Sequence, residues 1–383
     1  MRHVLSGAVI FDGAALHDGA ALVIEAGRIA AILPAPQAGP PTARFDGIIA
    51  PGFLDLQVNG GGGTMVGAGT DVAALRAICA THRNLGTAGI LPTLITDRPE
   101  VTASVVAAGI EAARQQVPGF LGLHLEGPHL DPRRKGAHDP ALIRPMDADD
   151  LARLCAAAAA LPVLMVTLAP EAARPDQIAA LRGAGAVVSL GHSDCGLDLA
   201  EAAFAAGATC VTHLFNAMSQ LGNRQPGLVG AVLSGTARAG LIADGIHVHP
   251  TALRIALRAR PEGLFLVSDC MAFAGTGLSR MDLGGRTILR QDGRLTLADG
   301  TLAGADLTLA DAVRQIAALP EAGLARALAM ATAEPARAIG RQDRLGRLVP
   351  GAPAELTLLD RGLTSARLWT PDQPAATGRP APA

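Results

Sequence analysis

Short apolar runs recur along the middle of the chain, and each is followed by an Ala-rich segment with the composition of a helix. Apolar runs of this length are typical of buried strands in a parallel sheet, while Ala-rich segments that close with Gly favour helices. Eight βα units in succession predict an α/β protein with a (β/α)8 TIM barrel. A doubly wound open sheet is the alternative, because a sequence does not show whether a sheet closes. The eight runs are FLDLQVN from Phe53, GILPTLI from Gly89, FLGLHLE from Phe120, PVLMVTL from Pro162, AVVSLGH from Ala186, TCVTHLF from Thr209, GLIADG from Gly240 and LFLVSD from Leu264.

Both ends of the chain show a different pattern. The first fifty residues contain short alternating apolar stretches broken by Gly, Asp and Pro, and GRLVPGAPAELTLLD repeats this character near the other end. These are hairpin signals, not helix signals. We therefore predict that residues 1–50 and 346–370 together form a small β-sandwich domain and that residues 51–345 form the barrel. Residues 371–383, rich in Pro and Ala, are expected to form a flexible tail.

Composition narrows the classes of function. Of the 383 residues, 49% are hydrophobic and the formal net charge is −2, so there is no basic excess for a nucleic-acid partner. No run reaches the roughly 18 uninterrupted apolar residues of a membrane span, and the N-terminus lacks the continuous apolar core of a secretion signal. The prediction is a cytoplasmic protein without a membrane partner. Five cysteines, scattered without CxxC spacing, disfavour both a disulfide framework and a thiolate zinc site.

Four polar residues stand at the ends of separate apolar runs: Glu126, His192, His213 and Asp269. Barrel active sites are built at the C-terminal ends of the strands, so these side chains are expected to meet. Two histidines and a glutamate are an established ligand set for a catalytic divalent metal ion, and a nearby carboxylate can transfer protons to and from the attacking water. The structural alternatives are hydrogen-bonded histidines and an Asp269 that caps a helix.

His247 follows the seventh run in LIADGIHVHP, where its ring could polarise a carbonyl oxygen. The first run carries Gln57 and Asn59 in place of the HxH pair found in many metal hydrolases of this architecture, and the fourth run has no lysine to bridge two ions. Lys135, the only lysine in the chain, follows the third run. Amides are weaker ligands than imidazole for a transition metal, so one divalent ion is expected, with a second ion weak or absent. Zn²⁺ is the expected ion and Fe²⁺ the alternative.

The chain resembles the N-acetylglucosamine-6-phosphate deacetylases of the amidohydrolase superfamily. PGFLDLQVNG alone would indicate only the superfamily, whereas LHLEGPHL together with THLFNAM points to this family. The motifs run from Pro51 to Gly304 in the family's order. They are PGFLDLQVNGGGG, LHLEGPHL, KGAHDP, SLGHSD, THLFNAMS, PGLVG, ADGIHV, the VSD of strand eight and GTLAG.

The resemblance implies roles for individual residues. Glu126, His192 and His213 would bind the metal, Asp269 would act first as general base and then as general acid, and His247 would hold the acetyl carbonyl oxygen. Arg224 would meet the phosphate, a role that guanidinium geometry suits, although a surface ion pair is the alternative. The substrate contacts implied in full are Ala137, His138, Asn216, Ala217, Arg224, His247, Leu302, Ala303, Gly304 and Ala305.

Several positions depart from the family pattern near the expected sugar pocket. Cys270 stands where Ala is common, Phe273 where Pro is frequent, and Ala305 and Asp306 where Ser residues often occur. The implied reaction is deacetylation of N-acetylglucosamine 6-phosphate in amino-sugar metabolism, by a homodimer or larger homo-oligomer. The alternatives are the N-acetylgalactosamine epimer, another amidohydrolase, and a barrel scaffold without catalysis.

Overall fold

The computed structural model describes residues 1–283 and 285–372. All but the first two residues of the predicted C-terminal tail therefore lie outside the described part of the chain. Two 3₁₀ turns occur at Ala35–Gln37 and Pro132–Arg134. The strands are β1 (Arg2–Ser6), β2 (Val9–Phe11), β3 (Leu16–His17), β4 (Ala20–Glu25), β5 (Arg28–Pro34), β6 (Ala43–Arg44), β7 (Ile48–Pro51), β8 (Phe53–Val58), β9 (Gly60–Gly61), β10 (Thr64–Met65), β11 (Thr87–Ile95), β12 (Leu123–Glu126), β13 (Leu164–Leu168), β14 (Val187–Leu190), β15 (Cys210–Val211), β16 (Arg238–Leu241), β17 (Leu264–Leu266), β18 (Arg280–Leu283), β19 (Arg286–Gln291), β20 (Arg294–Leu297), β21 (Leu302–Ala305), β22 (Leu356–Leu359) and β23 (Ala366–Trp369). The α-helices are α1 (Val72–Asn84), α2 (Pro99–Arg114), α3 (Ala148–Ala160), α4 (Pro175–Gly183), α5 (Leu197–Ala205), α6 (Gly227–Ser234), α7 (Pro250–Ala259), α8 (Leu309–Ala317), α9 (Gly323–Ala331) and α10 (Ala333–Ala338).

Eight parallel strands, β8 and β11 to β17, pair with one another in chain order. The last strand also returns to the first. The backbone N–H of Asp269 donates to the carbonyl oxygen of Gln57 at 3.0 Å, and that of Asn59 donates to the carbonyl oxygen of Cys270 at 2.9 Å. Val58 and Cys270 form the corresponding parallel bridge. The sheet therefore closes, which confirms the predicted barrel over the doubly wound alternative.

The helices around the barrel begin and end where the local chemistry favours it. Asp71 caps α1, since its side chain accepts a hydrogen bond from the backbone N–H of Ala74 at 2.8 Å. The buried face of α1 carries Leu75, Ile78 and Cys79, which pack toward the sheet. None of the helices in residues 1–283 and 285–372 is long and apolar enough to cross a membrane.

The two ends of the chain form two small sheets, ordered β5-β4-β1-β6 and β23-β22-β7-β2-β3. In the second sheet β7 pairs with β2 in parallel and with β22 antiparallel, so residues from both ends share it. Leu22 and Ile24 of β4 pack with Ile49, Leu356 and Trp369 from the other sheet in one buried cluster. This is the sandwich expected from the sequence. Its boundaries at residues 50 and 346 stay a prediction.

A further four-stranded sheet follows the last barrel strand and was not predicted. Strands β18 to β21 form an antiparallel meander, which we call the insertion sheet. Its buried side packs Ile288, Leu295 and Ala303 against Phe273, with Ala137 at the edge of the cluster. Arg286 also donates from Nη2 to the carbonyl oxygen of Ala137 at 2.8 Å. The insertion sheet therefore lies beside the loop that follows β12.

Candidate active site

Three side chains from three barrel strands converge at the C-terminal end of the barrel. Glu126 is the last residue of β12, while His192 and His213 follow β14 and β15 by two residues. Glu126 Oε1 lies 3.2 Å from His192 Nε2 and 3.1 Å from His213 Nε2, and the two nitrogens are 3.1 Å apart. A tetrahedral ion with bonds of about 2.0–2.1 Å has ligand atoms roughly 3.3–3.4 Å apart. The triangle therefore fits a divalent metal ion.

Neighbouring groups orient these three side chains. His192 donates from Nδ1 to the carbonyl oxygen of Arg134 at 2.8 Å, which leaves Nε2 free to bind a metal ion. Gln57 donates from Nε2 to Glu126 Oε1 at 3.1 Å. His213 Nδ1 is buried and has no partner within the described residues. Gln57, considered in the sequence only as a weak ligand, thus holds the carboxylate of Glu126 in place.

Glu126 remains a carboxylate in this buried position. Burial acts to raise its pKa, but hydrogen bonds and charge from His192 and His213 outweigh burial and hold the pKa well below the usual value. Burial, followed by the charge of His192, lowers the pKa of the adjacent His138 to about 3. The ring of His138 is therefore neutral, and its Nδ1 lies 2.7 Å from Thr96 Oγ1. The cluster therefore offers a cation an anionic oxygen from Glu126 beside the imidazole nitrogens of His192 and His213.

The backbone at the site is unusual. His192, His213 and Asp269 have φ values of 47°, 29° and 48°, in the left-handed region that residues other than Gly rarely adopt. Phe215 and Ala217, just after His213, have φ values of 80° and 48°. Such strain is concentrated at functional sites, where surrounding structure holds the residue in place. Each strand thus turns sharply at the residue that it presents to the cavity.

Asp269 ends the segment after β17 and faces the same cavity. Asn59 donates from Nδ2 to Asp269 Oδ1 at 2.7 Å, which leaves Oδ2 for proton transfer. Burial and the nearby Glu126 raise the pKa of Asp269 to about 6, against the lowering effects of His213, His247 and Asn59. No helix begins at Asp269, so the structure does not support the helix-cap alternative. A carboxyl group with such a pKa is suited to accept and return a proton near neutral pH.

His247 is paired with a buried carboxylate. Its Nδ1 lies 2.6 Å from Asp244 Oδ2, and the side chains are 8% and 6% exposed. Burial acts to raise the pKa of Asp244, but hydrogen bonds from His247 and from the backbone N–H groups of Ile246 and His247 leave it below the usual value. Asp244 therefore fixes the ring and directs Nε2 away from itself. Asp244 was not among the residues predicted from the sequence, although its spacing from His247 in ADGIHV is a signal.

A cavity of about 260 Å³ joins these groups. This volume is near the lower end of the roughly 300–1,000 Å³ typical of small-molecule sites. Arg224 lies on an exposed loop, and neither it nor the buried Ala305 lines the cavity, so both assignments stay predictions. Of the residues predicted to contact substrate, those that line the cavity are Ala137, His138, Asn216, Ala217, His247, Leu302, Ala303 and Gly304.

A larger groove of about 430 Å³ lies on the outside of the barrel between α2 and α3. Its lining is mostly apolar, and Arg144 and Arg153 there both pair with Asp150. It contains none of the metal-binding candidates. The smaller cavity at the strand ends is therefore the candidate active site.

The positions that depart from the family pattern lie around the cavity, not in it. Cys270 is buried with Sγ 3.6 Å from His82 Nε2, and burial raises its thiol pKa well above the usual value. Phe273 is fully buried against the insertion sheet. Asp306 forms a two-pronged ion pair with Arg290 of β19, with both contacts at 2.7 Å. Cys270 and Phe273 thus contribute packing, while Asp306 anchors the insertion sheet.

Comparison with known proteins gives a consistent result. The sequence profile of the amidohydrolase family matches residues 48–378. An N-acetylgalactosamine-6-phosphate deacetylase from Shewanella sp. (strain ANA-3) is 40% identical over 325 residues, which cover 84% of this chain and 82% of that protein. The human N-acetylglucosamine-6-phosphate deacetylase is 39% identical over 329 residues, or 82% of this chain and 80% of that protein.

Among solved structures, the N-acetylglucosamine-6-phosphate deacetylase of Pasteurella multocida superposes with a TM-score of 0.90 at 33% identity. The superposition covers 96% of this chain and 97% of that chain. The similarity thus includes the terminal sheets and the barrel together.

Proposed function

Because this chain belongs to the amidohydrolase family, we propose that it removes the acetyl group from a 6-phosphorylated N-acetylhexosamine, with N-acetylglucosamine 6-phosphate as the first candidate. The observation that carries the proposal is the triangle of Glu126, His192 and His213 beside Asp269 in one cavity. Relatives that carry this reaction in their names match the chain over more than four fifths of its length. The C–N bond of the acetamide would be hydrolysed to acetate and an amino-sugar phosphate.

Glu126, His192 and His213 would hold one divalent ion, Zn²⁺ by preference and Fe²⁺ as the alternative. Such an ion, when bound, polarises a carbonyl group and lowers the pKa of water. Gln57 and Asn59 donate through their side-chain nitrogens to Glu126 and Asp269, and their neutral amide oxygens are weaker ligands than imidazole for a transition metal. We infer that a second ion is weakly held or absent.

Asp269 would move the protons. Its Oδ2 would accept a proton from the attacking water while Oδ1 stays hydrogen-bonded to Asn59. The same carboxyl group would then donate that proton to the nitrogen as the C–N bond breaks. The burial that raises its pKa to about 6 makes both steps accessible at one pH.

His247 would bind the acetyl carbonyl oxygen. Donation from Nε2 requires that ring nitrogen to carry a proton while Nδ1 stays bonded to Asp244. The buried carboxylate of Asp244 fixes the ring through Nδ1, so that Nε2 is the nitrogen available to the substrate. A donor fixed at this position stabilises the negative charge that develops on the oxygen in the transition state.

The sugar and its phosphate would be held by the loops that line the cavity. Ala137 and His138 come from the loop after β12, Asn216 and Ala217 from the segment after His213, and Leu302 to Gly304 from β21. Gly304 is required for close packing, since a Cβ there would lie 2.8 Å from the carbonyl oxygen of Asp269 at a φ of 66°. Contacts of the phosphate with Arg224 and of the sugar with Ala305 remain part of the proposal.

The galactosamine epimer is the second candidate substrate. The 40% identical relative from Shewanella is named for N-acetylgalactosamine 6-phosphate, whereas the human relative is named for the glucosamine compound. A homodimer or larger homo-oligomer is a further proposal that rests on the family resemblance alone. A cytoplasmic location is also a proposal and rests on the pattern of apolar residues in the sequence.

The test is a product assay on the purified chain with its metal content measured on the same sample. Both 6-phosphates are supplied in turn, with unphosphorylated N-acetylglucosamine as the control, and acetate and ammonia are quantified. We expect acetate from at least one phosphorylated sugar, little from the unphosphorylated one, and about one ion per chain. Ammonia release would indicate another amidohydrolase, and no product from either phosphate would overturn the proposal in favour of a non-catalytic barrel.

A further inference from the structure

The loop that follows β12 packs against the turn that carries His192. The carbonyl oxygen of Arg134 accepts the Nδ1 proton of His192 at 2.8 Å, and the backbone N–H of Asp131 donates to the carbonyl oxygen of His192 at 2.9 Å. A Cβ at Gly136 would lie 3.3 Å from His192 Cε1, so the bare backbone of this loop is in close contact with the ring. The same loop continues into Ala137 and His138, which line the cavity.

An ion pair closes this arrangement. Arg134 contacts Asp194 Oδ1 from Nε and from Nη2, each at 2.7 Å. Asp194 lies two residues after His192 and belongs to the same turn. The ion pair therefore joins Arg134, whose carbonyl oxygen accepts the Nδ1 proton of His192, to the turn that carries the His192 ring. Side-chain exposure is 37% for Arg134 and 26% for Asp194, which keeps the pair partly shielded from solvent.

The turn itself is held from behind by the loop after β13. Glu171 accepts a hydrogen bond from Ser193 Oγ at 2.8 Å and another from the backbone N–H of Asp194 at 2.8 Å. Asp194 is thus fixed on its backbone side and offers Oδ1 to Arg134 and Oδ2 to Arg133 of the same loop, whose Nη1 lies 3.1 Å away. This leaves the loop after β12 as the part that the ion pair positions.

We propose that Arg134 and Asp194 form a positioning pair that holds the Arg134 carbonyl oxygen against His192 and thereby sets the affinity of the site for its metal ion. The inference rests on the proposed function in one respect, that Glu126, His192 and His213 bind the ion. Outer groups that orient a metal-binding histidine typically change metal affinity by about 10- to 100-fold when removed.

Charge and positioning make opposite predictions for Arg134. Removing a cation near a site for a positive ion strengthens binding of that ion if only long-range charge matters. Removing the anchor of the carbonyl oxygen weakens binding if positioning matters. Loss of Asp194 weakens binding in both cases, so Arg134→Gln is the decisive variant.

The experiment measures the dissociation constant for Zn²⁺ by competition with a chelator on the full chain. The variants are Arg134→Gln, Arg134→Lys, Asp194→Asn and the double variant of Arg134→Gln with Asp194→Asn. Arg114→Gln is the matched control, because Arg114 pairs with Glu111 on the exposed side of α2, with 72% of its side chain exposed. Thermal unfolding of each zinc-free protein checks that the fold is intact.

We expect Zn²⁺ to bind Arg134→Gln and Asp194→Asn about tenfold or more weakly than wild type, with the double variant no weaker than the worse single one. Arg134→Lys should recover part of the loss, since an ammonium group can make only one of the two contacts. Saturating Zn²⁺ should restore most of kcat, because the pair acts through metal retention.

Unchanged or tighter binding of Zn²⁺ by Arg134→Gln would overturn the inference while leaving the metal site in place. Failure of the wild-type chain to bind Zn²⁺ would instead count against the proposed function. The same assay on His192→Ala and His213→Ala shows whether Zn²⁺ binds at the proposed site. A loss of kcat that excess Zn²⁺ does not restore would also overturn the positioning role, because it would place Arg134 in a later step.

Discussion

At the scale of single residues, Asp269 differs from the three metal-binding candidates in its surroundings. Glu126 accepts hydrogen bonds from both histidines, which hold its pKa low, whereas Asp269 receives one bond from Asn59 and its pKa is raised to about 6. Two buried carboxyl groups in one cavity thus have pKa values displaced in opposite directions. This contrast supports the proposed roles of ion binding for Glu126 and proton transfer for Asp269.

Replacing Asp269 with Asn should separate proton transfer from ion binding. The change keeps the size of the side chain but removes the proton acceptor, so we expect kcat to fall by about 10²- to 10⁴-fold. Metal content, measured by elemental analysis, should stay close to that of the wild type. Full turnover by Asp269→Asn would show that another group accepts the proton.

The contact between Asn59 and Asp269 predicts a shift in pH dependence. The Asn59 amide stabilises the carboxylate, so Asn59→Ala should raise the pKa of Asp269 by about one unit. Because the carboxylate is the active form, activity is lost as the pH falls through this pKa. In the wild type, the acidic limb of kcat/KM should lie at about pH 6, and a cation bound nearby would move it to lower pH. In Asn59→Ala, the acidic limb should lie at a higher pH than in the wild type.

A full pH profile of both proteins measures this shift, with the plateau at higher pH as the internal reference. A lower plateau with an unmoved acidic limb would mean that Asn59 acts on something other than Asp269.

At the scale of elements, the insertion sheet delivers β21 to the cavity. Its strand β19 is tied to the segment after β21 by the ion pair between Arg290 and Asp306, and Arg290 also donates to the carbonyl oxygen of Thr276 at 2.8 Å. The side chains of Arg290 and Asp306 are 30% and 17% exposed. The pair therefore holds the sheet that supplies the segment predicted to contact the sugar.

Asp306→Ser should loosen this element without touching the reacting groups. A partly buried two-pronged pair contributes on the order of 1 kcal/mol, which corresponds to about a fivefold rise in KM. We expect kcat and the thermal unfolding temperature to change little. Arg290→Gln serves as the partner variant and should give a similar rise, and the two changes together should not add. A fall in kcat with KM unchanged would argue against this role.

The barrel strands were predictable and the insertion sheet was not, for a physical reason. The run from Phe53 matches β8, because all of β8 is buried and four of its six residues are apolar. Strands such as RLTL of β20 are half exposed and place one Leu between Arg and Thr, which gives no comparable pattern. The strand-end residues of the site could be predicted because each of them ends or directly follows one of these apolar runs.

What the sequence could not show at the site depends on backbone contacts across the fold. The bond between Asn59 and Asp269 exists only because the last strand returns to the first, and sequence does not reveal that closure. The carbonyl oxygen that orients His192 belongs to Arg134 in a long loop, and any residue type supplies such an oxygen. Only the side-chain pair of Asp244 and His247 left a readable spacing.

At the scale of the whole molecule, the barrel and the terminal sandwich are continuous. Phe11, Ile48 and Ala50 come from the terminal strands but pack in the same buried cluster as the barrel strands. Strand β7 runs directly into β8 with one residue between them. Arg83 of α1 also contacts Glu355 just before β22 at 2.9 Å. Events that stabilise the barrel are therefore expected to stabilise the whole chain.

Metal removal should test this coupling. An ion that binds only the folded chain adds about 2.7 kcal/mol at a concentration 100 times its dissociation constant. Chelation should lower the thermal unfolding temperature by several degrees, and both the barrel and the sandwich should unfold in one shifted transition. His192→Ala is the control and should show no response to the chelator. A separate, unshifted transition would mean that the sandwich is independent of the barrel.

The left-handed backbone at His192, His213 and Asp269 implies a conflict between durability and activity. Each such residue costs the folded state about 1–3 kcal/mol, whereas Gly adopts this conformation without that cost. His213→Gly should therefore give a zinc-free protein that melts at a higher temperature than zinc-free His213→Ala, although neither variant has turnover. Selection for heat resistance alone would discard the residues that make this barrel an enzyme.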